Sequence, residues 1–386
     1  MNNSFNFGRR SLVAGAAVAA LAGTSLAQAQ AIKIANIVEL SGAGATAGTN
    51  FKNGVELAVK EINAAGGILG KKIETTTLDT QSNPGVAKGL TQKAVDDNVF
   101  AVFGPVFSGS IMVSMAETKR AEVPNFTGGE AAAITKQGNP YVFRTSFTQD
   151  TAMPKVARYI ANNVKAKTVA VMFVNNDFGK GGRDSITKAL EAAGVKVVAD
   201  ISTDSGQVDF SAPVLKAKQA NPDALFVYTN EEESARALRE LRKQGWNKPI
   251  VGETTLTGQK VIELAGEAAN GAVAHVGLTV DSPSPLMLKF KANFYQDYKY
   301  ISDHNGIKGY TGVYLLKAAI EKAGKLDRKL VAQTLHGLSV SAAKNPGVLM
   351  DVSVDANGDL DRESFVVEVK DGKQVVKEIL PALSKK

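Results

Sequence analysis

"IANIVELSGAGATAGTNFKNG", residues 34–54, runs from a strand-like apolar stretch through a glycine-rich loop into a helix-like pattern. Gly42, Gly44 and Ala47 match G-x-G-x-x-G/A, the loop that seats a dinucleotide pyrophosphate on a helix N-terminus. That reading also needs an acid roughly 20 positions on, at the tip of the next strand. Asp79 ends the next strand-like stretch but lies much further along, behind the extra connection "NAAGGILGKK". The competing reading is a βα turn whose glycines let a small molecule approach the backbone, and the rest of the chain favours it.

The residues before this stretch point out of the cytoplasm, where free dinucleotides are scarce. "MNNSFNFGRR" carries two arginines and no acid, and "SLVAGAAVAALAGTSLA" is apolar but too short to span a bilayer. Ala27-Gln28-Ala29 and Ala29-Gln30-Ala31 both fit the small-x-small cleavage rule, so residues 1–31 are expected to be a secretory signal peptide. Arg9-Arg10 before Ser11-Leu12 allows the twin-arginine route as well as the general one. No later stretch is long and apolar enough to span, so the mature protein is expected in the periplasm.

Composition narrows the class further. At 386 residues the chain has room for two domains, and 44% hydrophobic with 22% charged residues is ordinary for a globular protein. The absence of cysteine excludes disulfides, thiolate nucleophiles and Cys-based metal sites. The net charge of +7 includes the two signal arginines, and the remaining charges are interspersed, as in "EEESARALRELRKQG". Without a basic stripe and stacking aromatics, no nucleic-acid partner is expected.

Along the chain, strand-like and helix-like segments alternate. "IKIANIVEL" precedes the helical "FKNGVELAVKEINAAGG", "KKIETTTLDT" precedes "NPGVAKGLTQKAVDDN", and "VFAVFGP" precedes "SGSIMVSMAETKRAE". "TVAVMFVNN", "VKVVADIST", "DALFVYTN" and "KPIVGE" repeat the scheme with their own helices. Strands joined by helices of this length predict two parallel sheets with right-handed crossovers.

Catalytic motifs are missing. His275, His304 and His336 are the only histidines, none spaced as a metal pair, and His304 falls in the turn-like "SDHNG". Neither G-x-S-x-G nor H-E-x-x-H occurs. "DANGDLD", 355–361, imitates a calcium loop, but its glycine is at position 4 and Val366 stands where the loop needs Glu. It reads as a polar turn before a strand.

In open parallel sheets ligands sit beyond the carboxyl ends of the strands, against helix N-termini. "VFGPVFSGS" is such a tip, with Ser108 and the N–H groups of Gly109 and Ser110 placed to hold an anion. "NFTGGEA" is the next, with Thr127, Gly128, Gly129 and Glu130. "NNDFGKGG", "VYTNEEE" and "VGETT" are the matching tips of the second sheet, and five tips over two sheets predict a cleft.

The order "SGAGATAGTNFKNGVELAVKEINAAGGILGKKIE", "FGPVFSGS", "PNFTGGEAAAITKQGNPYVFRTS", "NDFGKGGRDSITKALEAAG" and "GETTLTGQKVIELAGEAANGA" resembles the periplasmic leucine/isoleucine/valine-binding proteins, the type I substrate-binding proteins of ABC importers. The resemblance covers essentially the whole mature chain. It implies a two-lobed α/β fold, each lobe a parallel-rich sheet flanked by helices, closing on a small ligand. Lobe 1 is then expected at 32–147 plus 278–355 and lobe 2 at 148–277 plus 356–386. The three crossovers should fall near 146–149, 275–279 and 353–358. The opening glycine loop becomes the first cleft loop of lobe 1.

Carried over position by position, the resemblance puts Ser108 on the ligand's α-carboxylate and the Gly128 backbone against the ligand. Glu130 stands where amino-acid binders keep a Thr, so it either turns away or meets a ligand cation. Phe178 occupies the place of a covering aromatic, Asn230 replaces another, and Ala47 stands at a third position that accommodates one. Thr254 takes the place of the acid that pairs with the α-ammonium, with Glu253 beside it. The implied function is periplasmic capture of a small amino acid of the branched-chain or aliphatic class for an ABC permease and its ATPase. An aromatic or other small carboxylate, an amide, or a ligand-sensor role is the alternative. No enzymatic activity, cofactor or metal is expected, and the protein is expected to be a monomer.

Overall fold

The computed structural model describes residues 1–2 and 31–383, so the signal-peptide expectation lies outside the described residues, Met1, Asn2 and Ala31 apart. Five parallel strands form the first sheet: β1 (Ile32–Val38), β2 (Ile73–Asp79), β3 (Ala101–Phe103), β4 (Asn125–Thr127) and β5 (Val142–Arg144), in the order β2-β1-β3-β4-β5. Helices α1 (Ala45–Ala64), α2 (Pro84–Asp96) and α3 (Ser108–Arg120) make the crossovers. Asn83 caps α2 by accepting from the Gly85 and Val86 amides, with Pro84 at the first helical position, where its missing N–H costs nothing.

The second sheet has seven strands. β6 (Thr168–Val174), β7 (Lys196–Thr203), β8 (Ala224–Tyr228), β9 (Ile250–Glu253) and β10 (Val273–Val276) run parallel, linked by α5 (Asp177–Ala192), α6 (Ser211–Ala220), α7 (Glu231–Lys243) and α8 (Gln259–Ala265), with α4 (Gln149–Tyr159) entering from the first sheet. The chain then returns to the first unit through α9 (Pro285–Tyr298), α10 (His304–Ala323) and α11 (Arg328–Leu335). A small antiparallel sheet follows, β11 (Ser339–Val340), β12 (Val352–Val354) and β13 (Leu360–Asp361). Finally β14 (Ser364–Lys370) and β15 (Lys373–Leu380) add antiparallel to the edge at β10, giving β15-β14-β10-β9-β8-β6-β7. The passage into β14 falls at Arg362–Glu363, a few residues beyond the 353–358 that the sequence suggests, because the β12–β13 pairing holds through Asp361.

Both sheets are covered on two faces, which explains their near-continuous apolar strands. In β6, Val169, Val171 and Phe173 face the α4–α5 layer, while Ala170 and Met172 face the α6–α7 layer. In the first sheet Ile34, Phe103, Phe126 and Phe143 share a core with α1 and α10, and Ala35, Ile37 and Val102 pack toward α2. Helices α1 and α10 approach closely at glycines. A Cβ on Gly54 would lie 1.9 Å from the Gly306 carbonyl oxygen, and one on Gly309 would lie 2.2 Å from that of Phe51. The first half of α10 is therefore buried all round, from His304 to Val313.

Among the described residues, no helix is long and apolar enough to cross a membrane.

Candidate ligand cleft

The strand tips of the two sheets face one another across a cavity of about 270 Å³. The opening loop supplies part of its wall through Ala43 and Ala47. Asp79 explains that loop's shape: its carboxylate accepts from the Leu40, Ser41 and Gln81 amides and from the Ser41 hydroxyl. The acid after the glycine loop thus builds the loop itself.

The tip of β3 supplies one end of the cavity. Glu39, fully buried, accepts from the Val106 amide at 3.0 Å and the Phe107 amide at 3.2 Å, fixing the turn into α3. Burial raises the Glu39 carboxyl above its ordinary value, against these hydrogen bonds. The next amides, Ser108 to Ser110, open the helix, have no intrahelical acceptor and line the cavity. Ser108 Oγ accepts from the Ala131 amide at 3.2 Å, so it also braces the neighbouring tip.

That tip, residues 128–131 after β4, is held from behind. Arg144, fully buried, donates to the Gly129 carbonyl at 2.6 Å and the Ala131 carbonyl at 3.1 Å, and pairs with Asp359 at 2.7 Å. Ser146 Oγ donates to the same Gly129 carbonyl at 2.8 Å. Asp359 belongs to the "DANGDLD" turn, whose Asp355 accepts from the Asn357 and Asp359 amides, so this segment is the polar turn read from the sequence.

Glu130 neither turns away nor waits for a ligand cation, because the protein supplies the cation. Lys308 Nζ of α10 donates to Glu130 Oε1 at 2.9 Å and to the Gly128 carbonyl at 3.3 Å. Tyr228 at the end of β8 donates to Glu130 Oε2 at 3.1 Å. Burial, then the nearby Glu253, pushes the Glu130 carboxyl up to about 7, while Lys308 opposes the shift. Because Glu130 and Lys308 follow the first sheet and Tyr228 the second, this triad ties the two units across the cleft.

The second sheet's tips bring Asn176, Asp177 and Phe178 at α5 and Asn230 and Glu231 at α7. Asn176 caps α5, its side chain accepting from the Gly179 amide at 2.9 Å. The Phe178 ring stacks on Tyr228 with centroids 4.1 Å apart, and Gln149 donates to the Phe178 carbonyl and the Tyr228 hydroxyl oxygen. Asp177 Oδ2 lies 2.8 Å from where a Cβ on Gly109 would stand, so the start of α5 approaches the start of α3 closely, and a side chain at 109 would displace the Asp177 carboxylate.

Of the residues singled out from sequence, Ser108, Gly109, Gly128, Gly129, Glu130, Phe178 and Asn230 line the cavity. Thr127, Glu253 and Thr254 do not. Thr127 ends β4 with its side chain in the interior, and Glu253 points into the protein, accepting from Thr254 Oγ1 and meeting His275 Nδ1 at 3.3 Å. Burial and then the nearby Lys155 cation hold His275 down to about 3, so it stays neutral. Thr255 takes the wall position beside them.

Sequence reasoning missed Phe107, Glu231, His304, Asn305 and Lys308, all of which line the cavity. His304 is the first residue of α10 rather than part of a free turn, since Asp303 caps that helix by accepting from the Asn305 and Gly306 amides. The available signal was a lysine inside the glycine-spaced "GIKGYTG", a helix face too tightly packed to leave a charge in solvent.

Residues 31–374 match the periplasmic binding protein family. The chain belongs to that family. It is 30% identical to the Leu/Ile/Val-binding protein BraC3 of Rhizobium johnstonii, over 90% of this chain and 94% of that one. Among solved structures, the branched-chain amino acid transporter substrate-binding protein of Streptococcus pneumoniae, in complex with isoleucine, is 27% identical, covers 91% of this chain and 100% of that one, and superposes with a TM-score of 0.83. A solute-binding protein from R. palustris in complex with benzoate shares the fold at 23% identity and a TM-score of 0.84, covering 92% of this chain and 98% of that one. This periplasmic binding protein therefore has the mixed α/β, parallel-rich architecture that the strand tips imply, and its family is one of solute binders, not of enzymes.

Proposed function

We propose that the protein captures a small amino acid of the branched-chain or aliphatic class in this cleft and delivers it to an ABC permease. The observation that carries the reading is the placement of the open amides at Ser108–Ser110 beside Phe107, Phe178, Ala43, Ala47 and Val106 in one cavity. The amides suit a carboxylate and the apolar wall suits a short aliphatic side chain. The relatives named for leucine, isoleucine and valine, at similarity over nine-tenths of the chain, support the same class.

The two units are lobes of a hinge, at about residues 32–147 plus 278–361 and 148–277 plus 362–383, working as a monomer. Ligand first meets Ser108 and the 128–130 tip, and the second lobe then closes with Phe178 and Asn230. Export by residues 1–31 places it in the periplasm. A panel of branched-chain amino acids and benzoates, titrated calorimetrically into protein stripped by unfolding and refolding, tests the class. Saturable binding of an aliphatic amino acid supports it, and binding confined to benzoates replaces it with the aromatic-acid alternative.

A further inference from the structure

Resting on the solute-binding reading, we propose that Glu231 is the acceptor for a ligand ammonium group, with Thr255 beside it, so that the cleft takes zwitterions in preference to simple carboxylates. The acids around the cavity differ in one respect: most already have partners that satisfy them. Glu130 holds Lys308 and Tyr228, Glu39 holds two amides, Asp303 caps α10, and Glu232 accepts from Thr46 across the cleft. Thr254, where the family resemblance would place the ammonium's acid, carries no charge, and the acid beside it, Glu253, faces away from the cavity.

Glu231 is left without a cation. It is the first residue of α7, only 3% exposed, and lines the cavity. Its Oε1 accepts from the neutral amide of Asn305 at 3.1 Å. Among the described residues the nearest basic nitrogen is His304 Nε2 at 3.9 Å, and burial holds that imidazole well below its ordinary value. A buried carboxylate without a cation is costly, and a ligand –NH₃⁺ would supply the missing charge. Thr255 Oγ1, buried in the same cavity wall with no hydrogen-bond partner, offers a second acceptor for an ammonium that has several N–H groups to place.

The groups facing Glu231 make this arrangement measurable. Burial, then Asp303 before α10 and Glu232 on α7, push its carboxyl up to about 8, and Lys308 on α10 opposes them. Glu130 and the exposed Asp177 complete the acidic groups of the cavity. Near neutral pH the ligand-free carboxyl therefore keeps its proton, and an arriving ammonium drives the proton off.

The test is calorimetric titration of leucine and of benzoate at pH 7.5 in two buffers of different ionisation enthalpy, on the wild type and Glu231→Gln. The proposal expects leucine binding to release a proton in the wild type and not in Glu231→Gln, with affinity at least tenfold weaker in the variant. Melting curves report that the variant folds, and Glu231→Asp is expected to restore part of the proton release. Leucine binding with the same proton count and affinity in both proteins overturns the proposal while leaving the solute-binding reading intact. Preferential benzoate binding unaffected by Glu231→Gln overturns it as well. Failure of the wild type to bind either solute overturns both.

Discussion

A lysine and a glutamate buried together decide much of what this cleft can tolerate. Removing one partner of a buried pair strands the other, at a cost of about 3–5 kcal/mol, whereas removing both together costs far less. Glu130→Gln leaves Lys308 as an uncompensated cation and is expected to destabilise the protein by that order, and Glu130→Gln with Lys308→Met should recover most of the loss. Urea denaturation of the two variants checks this, and equal destabilisation by the single and double changes would refute the pairing. The titration of these groups adds a second expectation. Glu130 and Glu231 have folded pKa values raised to about 7 and 8 from an ordinary 4.5, so their stabilising contribution is full below 4.5 and disappears as pH rises through the folded values. His275, lowered to about 3 from 6.5, acts the other way and only below 6.5. Between pH 6.5 and 8 the ligand-free melting temperature should therefore fall, and fall less in Glu231→Gln; a flat profile, or one with the same slope in both, would contradict it. At this scale the sequence was half legible. Ser108, Gly109 and the 128–130 tip stand next to strand ends, where local pattern points to a ligand. Lys308 and Glu231 reach the cavity wall through the packing of α10 and α7; the glycine spacing around Lys308 signals only that it is buried, and the partner of neither residue is written in its own helix.

Helix α10 carries Lys308, Asn305 and His304 into the cleft, and its position is set by the glycine contacts with α1. Gly309→Ala would place a methyl 2.2 Å from the Phe51 carbonyl oxygen, a backbone atom that cannot rotate away. Overpacking of this kind costs about 1–3 kcal/mol. The variant is thus expected to melt lower and to bind more weakly as Lys308 shifts from Glu130. Thermal unfolding and calorimetry of Gly309→Ala check both effects, and unchanged stability would mean the helices are not held at this distance. The alternating elements themselves were plain in the sequence, since βα units write their periods locally. The small β11–β13 sheet and the late passage into β14 were not, because their strands are two or three residues long and are defined by pairing rather than by pattern.

Three passages of chain connect the two units, and hydrogen bonds from Tyr228 to Glu130, Asn305 to Glu231 and Thr46 to Glu232 span the gap between them. In the proposed hinge such contacts belong to the closed state, which a ligand would stabilise by binding it in preference to an open one. Small-angle scattering of the stripped protein should show a larger radius of gyration that contracts on adding the bound solute, and identical envelopes would contradict hinge closure. The pairing of β14 and β15 with the second sheet could be anticipated from the family resemblance, but not from the strands' own sequence, which is equally suited to either edge. The most direct measurement is calorimetry of leucine, isoleucine and valine against wild type and Ser108→Ala. A hydrogen bond to a charged ligand group is worth about 1.5–3 kcal/mol, so the variant should bind about 10- to 100-fold more weakly than a wild type that saturates at one ligand per chain. Equal affinity of wild type and Ser108→Ala for a solute that both bind would contradict the placement of the site at the start of α3.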